Sequence, residues 1–202
     1  MKPTLSLVGI FMTLSLCSFV TLKSIAEEQV AVFAGGCFWC TESDFEKLDG
    51  VVSAESGYIG GHIKNPSYKQ VSAGGSGHTE AVQVIFDDQK VSYSDLVEYF
   101  WKTIDPTDGG GQFCDRGQQY RGEIFYLSEE QHSIAKASKK ALANSGLLKS
   151  EIATQLTPSS RFYLAEDYHQ DYYLKNPVRY NYYRWGCGRE KRLEALWGAA
   201  TK

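Results

Sequence analysis

Cys37 and Cys40 are separated by Phe38 and Trp39 and follow directly on Gly35 and Gly36. A free thiol ionises near 8.5, and the thiolate is the nucleophile. A helix beginning at Cys37 would present unpaired N–H groups and a dipole that favour an anion, which predicts a lowered pKa and a reactive sulfur. The glycines permit a tight turn and a close approach of ligand to backbone. Phe38 and Trp39 beside a thiolate would line a pocket for a small apolar group. The bland alternative makes both rings core and Cys37 a half-cystine.

Three chemistries fit a Cys-x-x-Cys of this kind. Zinc needs four ligands, and no second Cys-x-x-Cys or His-x-His pair occurs, although Cys114 and His78 could complete a set. No metal or other cofactor is therefore expected. A thioredoxin-like dithiol fits better, since the pair follows a strand-like run. In the third reading Cys37 is a lone nucleophile and Cys40 is incidental.

The pattern around the pair predicts the elements that must hold it. Residues 29–34 read as an apolar strand stopped by Gly35-Gly36, and a helix over 37–48 ends at Asp49-Gly50. Residues 51–58 are strand-like, and Val82, Val84 and Phe86 alternate on a strand over 81–86. Ser92 and Asp95 form a capping box before Leu96, Val97, Phe100, Trp101 and Ile104 at helical spacing. A glycine-rich loop over 105–119 leads to a strand over 122–127, a helix over 128–144 and a strand over 152–156. The β-α-β-β-α-β order predicts a ferredoxin-like two-layer α+β sandwich, followed by an extended irregular C-terminal tail.

With 202 residues, 43% of them hydrophobic and 13% aromatic, the chain suits one globular domain and excludes disorder. A net charge of -3 without a Lys/Arg cluster argues against nucleic acid as a partner. Residues 1–26 read as a secretory signal peptide. Lys2 opens them, an apolar run covers 5–20, Ser24-Ile25-Ala26 resembles a cleavage site, and no acidic residue precedes Glu27. An exported protein, periplasmic or secreted, is expected, with 27–202 as a single catalytic domain. Cleavage would also remove Met1 and Met12, leaving no methionine, which suits work amid oxidants.

Gly36-Cys37-Phe38-Trp39-Cys40-Thr41-Glu42 resembles the active-site segment of the A-class peptide methionine sulfoxide reductases. So do Asn65-Pro66-Ser67-Tyr68, Gly77-His78-Thr79-Glu80-Ala81-Val82 and Gln112-Phe113-Cys114-Asp115-Arg116-Gly117-Gln118-Gln119-Tyr120-Arg121. Ala165-Glu166-Asp167-Tyr168-His169-Gln170-Asp171-Tyr172 completes a series in family order that runs over nearly all of residues 30–197. The resemblance implies thiol-dependent reduction of methionine-S-sulfoxide, free or in proteins, by a monomer that a thioredoxin-like protein recycles. Competing readings are a periplasmic thiol-disulfide oxidoreductase using Cys37 and Cys40, and a secreted binding domain with two disulfides.

Chemistry gives the matched residues tasks. A sulfoxide is a poor electrophile until its oxygen is protonated or strongly hydrogen-bonded, so a thiolate needs an acid beside it. The resemblance makes Glu80 that acid, provided burial raises it from about 4.3. Tyr68 and Tyr120 can donate to the sulfoxide oxygen, Asp115 can orient a water or a tyrosine, and Phe38 and Trp39 receive the substrate methyl. The product on Cys37 is a sulfenic acid, which a second thiol condenses to a disulfide. Cys187, in Trp185-Gly186-Cys187-Gly188-Arg189, is the expected resolver, swinging to Cys37 on a glycine-flanked tail; the bland reading ties it to Cys114 in a static bridge. Cys40 is the other possible resolver. Many family members have Gly at that position and two tail cysteines, so the chain departs from its relatives here.

Overall fold

Strand β1 (Glu28–Gly35) is buried on both sides through Ala31, Val32, Phe33 and Ala34, as a central strand must be. The computed structural model describes residues 28–198, so the leader expected over 1–26 lies outside the described residues. After β1 come helix α1 (Phe38–Phe45), β2 (Val51–Ile59), the short α2 (Tyr68–Ser72), β3 (Thr79–Asp87) and α3 (Tyr93–Thr103). A small hairpin of β4 (Gly111–Gln112) and β5 (Asp115–Arg116) precedes β6 (Gly122–Tyr126), α4 (Glu129–Asn144), β7 (Gln155–Pro158) and β8 (Tyr163–Leu164).

The main sheet has the order β7-β6-β1-β3-β2-β8. Its four inner strands pair antiparallel and form the expected ferredoxin-like frame, while β7 adds parallel to β6 and β8 antiparallel to β2. The helices cover one face. There Phe33 stacks between Phe45 and Phe100 at centroid distances of 4.8 and 5.0 Å, with Leu96, Val97 and Ile104 around them. A smaller cluster of Val32, Ala34, Ile59, Ala81 and Phe125 seals the other face, capped by Phe162 from the loop before β8. Burying each large side chain contributes about 1.5–3 kcal/mol, so this two-sided core fixes β1 and the loop leaving it.

The expected caps form. Ser92 Oγ accepts from Asp95 N at 3.1 Å while Asp95 Oδ2 accepts from Ser92 N at 3.0 Å, and Ser128 Oγ accepts from Gln131 N. The last strand shifts to Gln155–Pro158, because the N–H groups of Ala153 and Thr154 are held by Pro106 O and only the later residues can pair with β6. Helix α2, a loop by sequence, starts from a Ser67–Gln70 capping box.

The tail differs most from expectation. It contains α5 (Tyr172–Lys175), α6 (Pro177–Gly186) and α7 (Arg189–Trp197). Pro177 supplies the preorganised first residue of α6, and left-handed Gly188 (φ 70°) turns the chain into α7. Tyr180, Arg189 and Leu193 are buried beneath it, so tertiary burial rather than local pattern makes the tail helical. Among the described residues no helix is long and apolar enough to cross a membrane.

Candidate active site

The turn from β1 into α1 places Cys37 at the helix N-cap. Gly36 has φ +85°, and a Cβ there would lie 2.6 Å from Cβ of Gln112. Gln112 cannot yield, because its buried amide accepts from Asp105 N and donates to Asp105 O, each at 2.8 Å. Only glycine fits.

The helix N-terminus does meet a carboxyl group, but from another strand. Phe38 N donates to Glu80 Oε2 at 3.1 Å, with Glu80 brought in by β3. Glu80 is 2% exposed, and burial pushes its carboxyl well above the usual range, with Asp115 and Cys40 adding to the push against the Phe38 N–H bond. That favours the protonated acid the chemistry requires. The expectation for Cys37 fails. Its thiol is pushed well up by burial first, then by its contacts with Cys40 and by the carboxyls of Glu80 and Asp115. The dipole argument omitted both the desolvation and the neighbours, and in a buried site these outweigh a helix end.

Tyr68, Glu80, Asp115 and Tyr120 join Cys37, Phe38 and Trp39 around one cavity of about 70 Å³. That volume suits the end of a side chain, far below the 300–1,000 Å³ of a typical small-molecule pocket. Each wall is held from behind. Tyr68 heads α2, where its N–H donates to Glu166 Oε1 at 2.9 Å; burial pushes its hydroxyl up to about 12, leaving it a neutral donor. Tyr120 ends a 3₁₀ turn (Gln118–Tyr120), and burial raises it as well. The Trp39 indole stacks on Tyr172 with ring centroids 3.7 Å apart, while its Nε1–H donates to His169 Nδ1 at 3.0 Å. Burial lowers His169 to about 4, which keeps that nitrogen free to accept.

Sequence reasoning missed three residues of this shell. Tyr183 lines the cavity, donates its hydroxyl to Asp115 and lies within hydrogen-bond reach of Cys37. Nothing distinguishes it by type among the tail tyrosines. His169 reads as part of a packed helix, yet it belongs to a turn before α5 and orients Trp39. Glu42, buried on α1, accepts from Ser56 Oγ and from Asp171 N and so fastens the His169 turn. The last two lie inside the strings that carry the family resemblance, which was the available signal.

The cysteines pair in an order the spacing did not decide. Cys114 and Cys187 form a disulfide with Cα atoms 4.9 Å apart, whereas Cys37 and Cys40 are free and buried. The tail cysteine expected to reach Cys37 is bonded to Cys114. Cys187 is still close to the cavity, its sulfur 3.9 Å from Asp115 Oδ2. His78 and Cys114 do not assemble a metal site with the pair. The His78 ring nitrogens bond Gly61 N and Ile63 O, and Cys114 is in the disulfide.

A buried thiol, a buried acid beside it and fixed aromatic walls define a cysteine-dependent redox enzyme acting on a group at a side chain's tip. The family model described as peptide methionine sulfoxide reductase matches residues 29–201. The chain is 49% identical over 172 residues to the peptide methionine sulfoxide reductase MsrA of Bacillus licheniformis, covering 85% of this chain and 95% of that protein. It is also 49% identical over 203 residues to the MsrA/MsrB protein of Vibrio cholerae, covering 98% of this chain but 53% of that longer protein. The structure resembles methionine sulfoxide reductase A of Corynebacterium diphtheriae with a TM-score of 0.65 and 33% identity, covering 75% and 76% of the two chains. The chain belongs to the peptide methionine sulfoxide reductase family.

Proposed function

We propose that the protein reduces methionine-S-sulfoxide, free or in proteins, to methionine at Cys37. The observation that carries this reading is the raised Glu80 carboxyl in the same aromatic-walled cavity as the Cys37 thiol. The substrate methyl rests against Phe38 and Trp39, where each buried carbon is worth about 0.8 kcal/mol. Glu80 gives its proton to the sulfoxide oxygen, with Tyr68 and Tyr120 as neutral donors, and the Cys37 sulfur attacks the substrate sulfur. Methionine leaves, the oxygen stays on Cys37 as a sulfenic acid, and the thiol proton replaces the one Glu80 gave. Burial favours the neutral form of both groups before substrate enters.

The sulfenic acid then condenses with a second thiol, and a thioredoxin-like dithiol protein reduces the resulting disulfide by thiolate exchange. The leader pattern over residues 1–26 and the absence of methionine after Met12 support export to a periplasm or the exterior. A dithiol oxidoreductase has no need of an acid such as Glu80 in the cavity wall.

Incubation of the purified protein with resolved sulfoxide epimers and a chemical dithiol tests the reading. Methionine should form from the S epimer while the R epimer persists. Equal consumption of both epimers, or of neither, would overturn it. Recovery from the envelope or medium of a chain beginning at Glu27 would support export, and a cytosolic chain beginning at Met1 would refute it.

A further inference from the structure

Cys40 is a nucleophilic group that the steps above leave without a task. It lies in the first turn of α1, where its N–H donates to Cys37 O at 3.1 Å, and its thiol accepts a hydrogen bond from the Cys37 thiol. Two cysteines so placed at a helix start can bridge without backbone movement. Cys40 is 2% exposed, covered by Tyr172 and Tyr180.

Its surroundings are unusually cationic for so buried a place. Arg184 Nη1 lies 2.8 Å from Asp44 Oδ1, and Arg189 Nη2 lies 3.6 Å from Asp44 Oδ2. Arg189 is 2% exposed, and its Nε has no hydrogen-bond partner. Glu190, half exposed, balances Arg184 from outside. Asp44 is the buried carboxylate that faces both guanidinium groups, with Asp115 and Glu190 also acting on Arg189. Ionisation of Cys40 during its attack would add an anion beside these cations. The Cys37 hydrogen bond lowers the Cys40 thiol, burial opposes this, and Arg189 and Arg184 reinforce the lowering.

Cys187 is placed differently. It is bonded to Cys114 and sits at the C-cap of α6, and α7 after it is anchored by Arg192 to Asp105 at 2.6 Å and by Arg189 Nη2 to Thr103 O at 2.8 Å. Reaching Cys37 would require the Cys114–Cys187 disulfide to open first.

We propose that Cys40 is the thiol that resolves the Cys37 sulfenic acid, and that the Cys114–Cys187 disulfide is a staple holding the helical tail over the cavity. The Cys40 sulfur attacks the Cys37 sulfur, the Cys37 S–O bond breaks and the S–S bond forms. The departing hydroxide takes up the proton released by the Cys40 thiol and leaves as water. The two electrons restored later come from the external dithiol, so atoms and electrons balance.

This inference rests on the sulfoxide-reductase reading, and the experiment separates the two. The full chain, with Cys37 and Cys40 reduced, receives methionine-S-sulfoxide without reductant, and both methionine and disulfides are measured. One equivalent of methionine per chain upholds the parent reading, and its absence rejects that reading. The inference expects a disulfide closed within the Cys37–Cys40 segment and an unchanged Cys114–Cys187 link. In Cys40→Ser the same equivalent of methionine should appear, with Cys37 trapped as a sulfenic acid by a dimedone-type reagent. Its recycling by a thioredoxin-like protein should fall by roughly tenfold or more. Should Cys40→Ser fail to fold, disulfide mapping in the unmutated chain decides alone. A Cys37–Cys187 or Cys37–Cys114 link, or Cys40→Ser recycling at the parent rate, would overturn the inference.

Discussion

The two cysteine pairs occupy opposite kinds of place. Cys37 and Cys40 lie in one helical turn, buried and reduced, beneath a cluster of aromatic and charged side chains. Cys114 and Cys187 are 73 residues apart in the chain, bonded to each other near the surface, and join the β4–β5 hairpin to the end of α6. The first pair is surrounded by buried ionisable and aromatic groups, among them Glu80, Trp39 and Tyr172. The second closes a long loop, where a disulfide stabilises mainly by restricting the unfolded chain. On the proposal made above, oxidation chemistry and structural cross-linking are divided between different cysteines.

Glu80→Gln strikes the chemical side of this division hardest. Loss of a general acid should lower kcat by roughly 10²–10⁴ while KM moves much less. The parent should show activity held at low pH and lost as pH rises through the raised Glu80 pKa, because the acid must carry its proton. A rate profile of Glu80→Gln matching the parent from pH 5 to 8 would remove Glu80 from proton transfer.

Cys114→Ser strikes the other side. Removing a native disulfide from a small domain typically costs about 2–5 kcal/mol, so thermal unfolding under non-reducing conditions should begin well below that of the parent. An unchanged melting temperature would mean that the bridge is no staple.

A smaller effect concerns Glu42, whose carboxyl burial raises to about 7. The folded chain then holds a proton that the unfolded chain loses near 4.5, so this part of the stability is full at acid pH and declines as pH rises through 7. Denaturant midpoints at pH 5 and pH 8 should differ less in Glu42→Gln than in the parent. Equal slopes would detach Glu42 from the effect.

The smallest change expected is at His169. Its hydrogen bond to Trp39 is worth about 1 kcal/mol, so His169→Phe should raise KM by roughly fivefold and disturb kcat less. If kcat falls instead with KM intact, the indole orientation matters to the reaction and not to binding.

Much of the frame was legible because short-range physics decides it. Alternation in β3, the Ser92–Asp95 box and the Gly35-Gly36 break each act within a few residues. The tail was not. Pro177 and the tyrosines after it carry little helical signal alone, and the segment is helical because Tyr180, Arg189 and Leu193 find buried places on the rest of the fold. Tyr183 entered the cavity wall by the same route.

By itself the sequence determined which side chains could do chemistry, since the Gly-Gly-Cys-Phe-Trp-Cys order names a thiol with aromatic neighbours, and the family resemblance singles out Glu80, Tyr68 and Tyr120 among many acids and tyrosines. Their states were left to the tertiary structure. Cys37 is raised rather than lowered by burial first, then by neighbouring Cys40 and by the Glu80 and Asp115 carboxyls, and the burial and the carboxyls come from elements that the sequence spacing does not place. The choice of Cys114 for Cys187 came from the same source, because a disulfide depends on two Cα atoms arriving within reach, and here 73 residues of folded chain bring them to 4.9 Å.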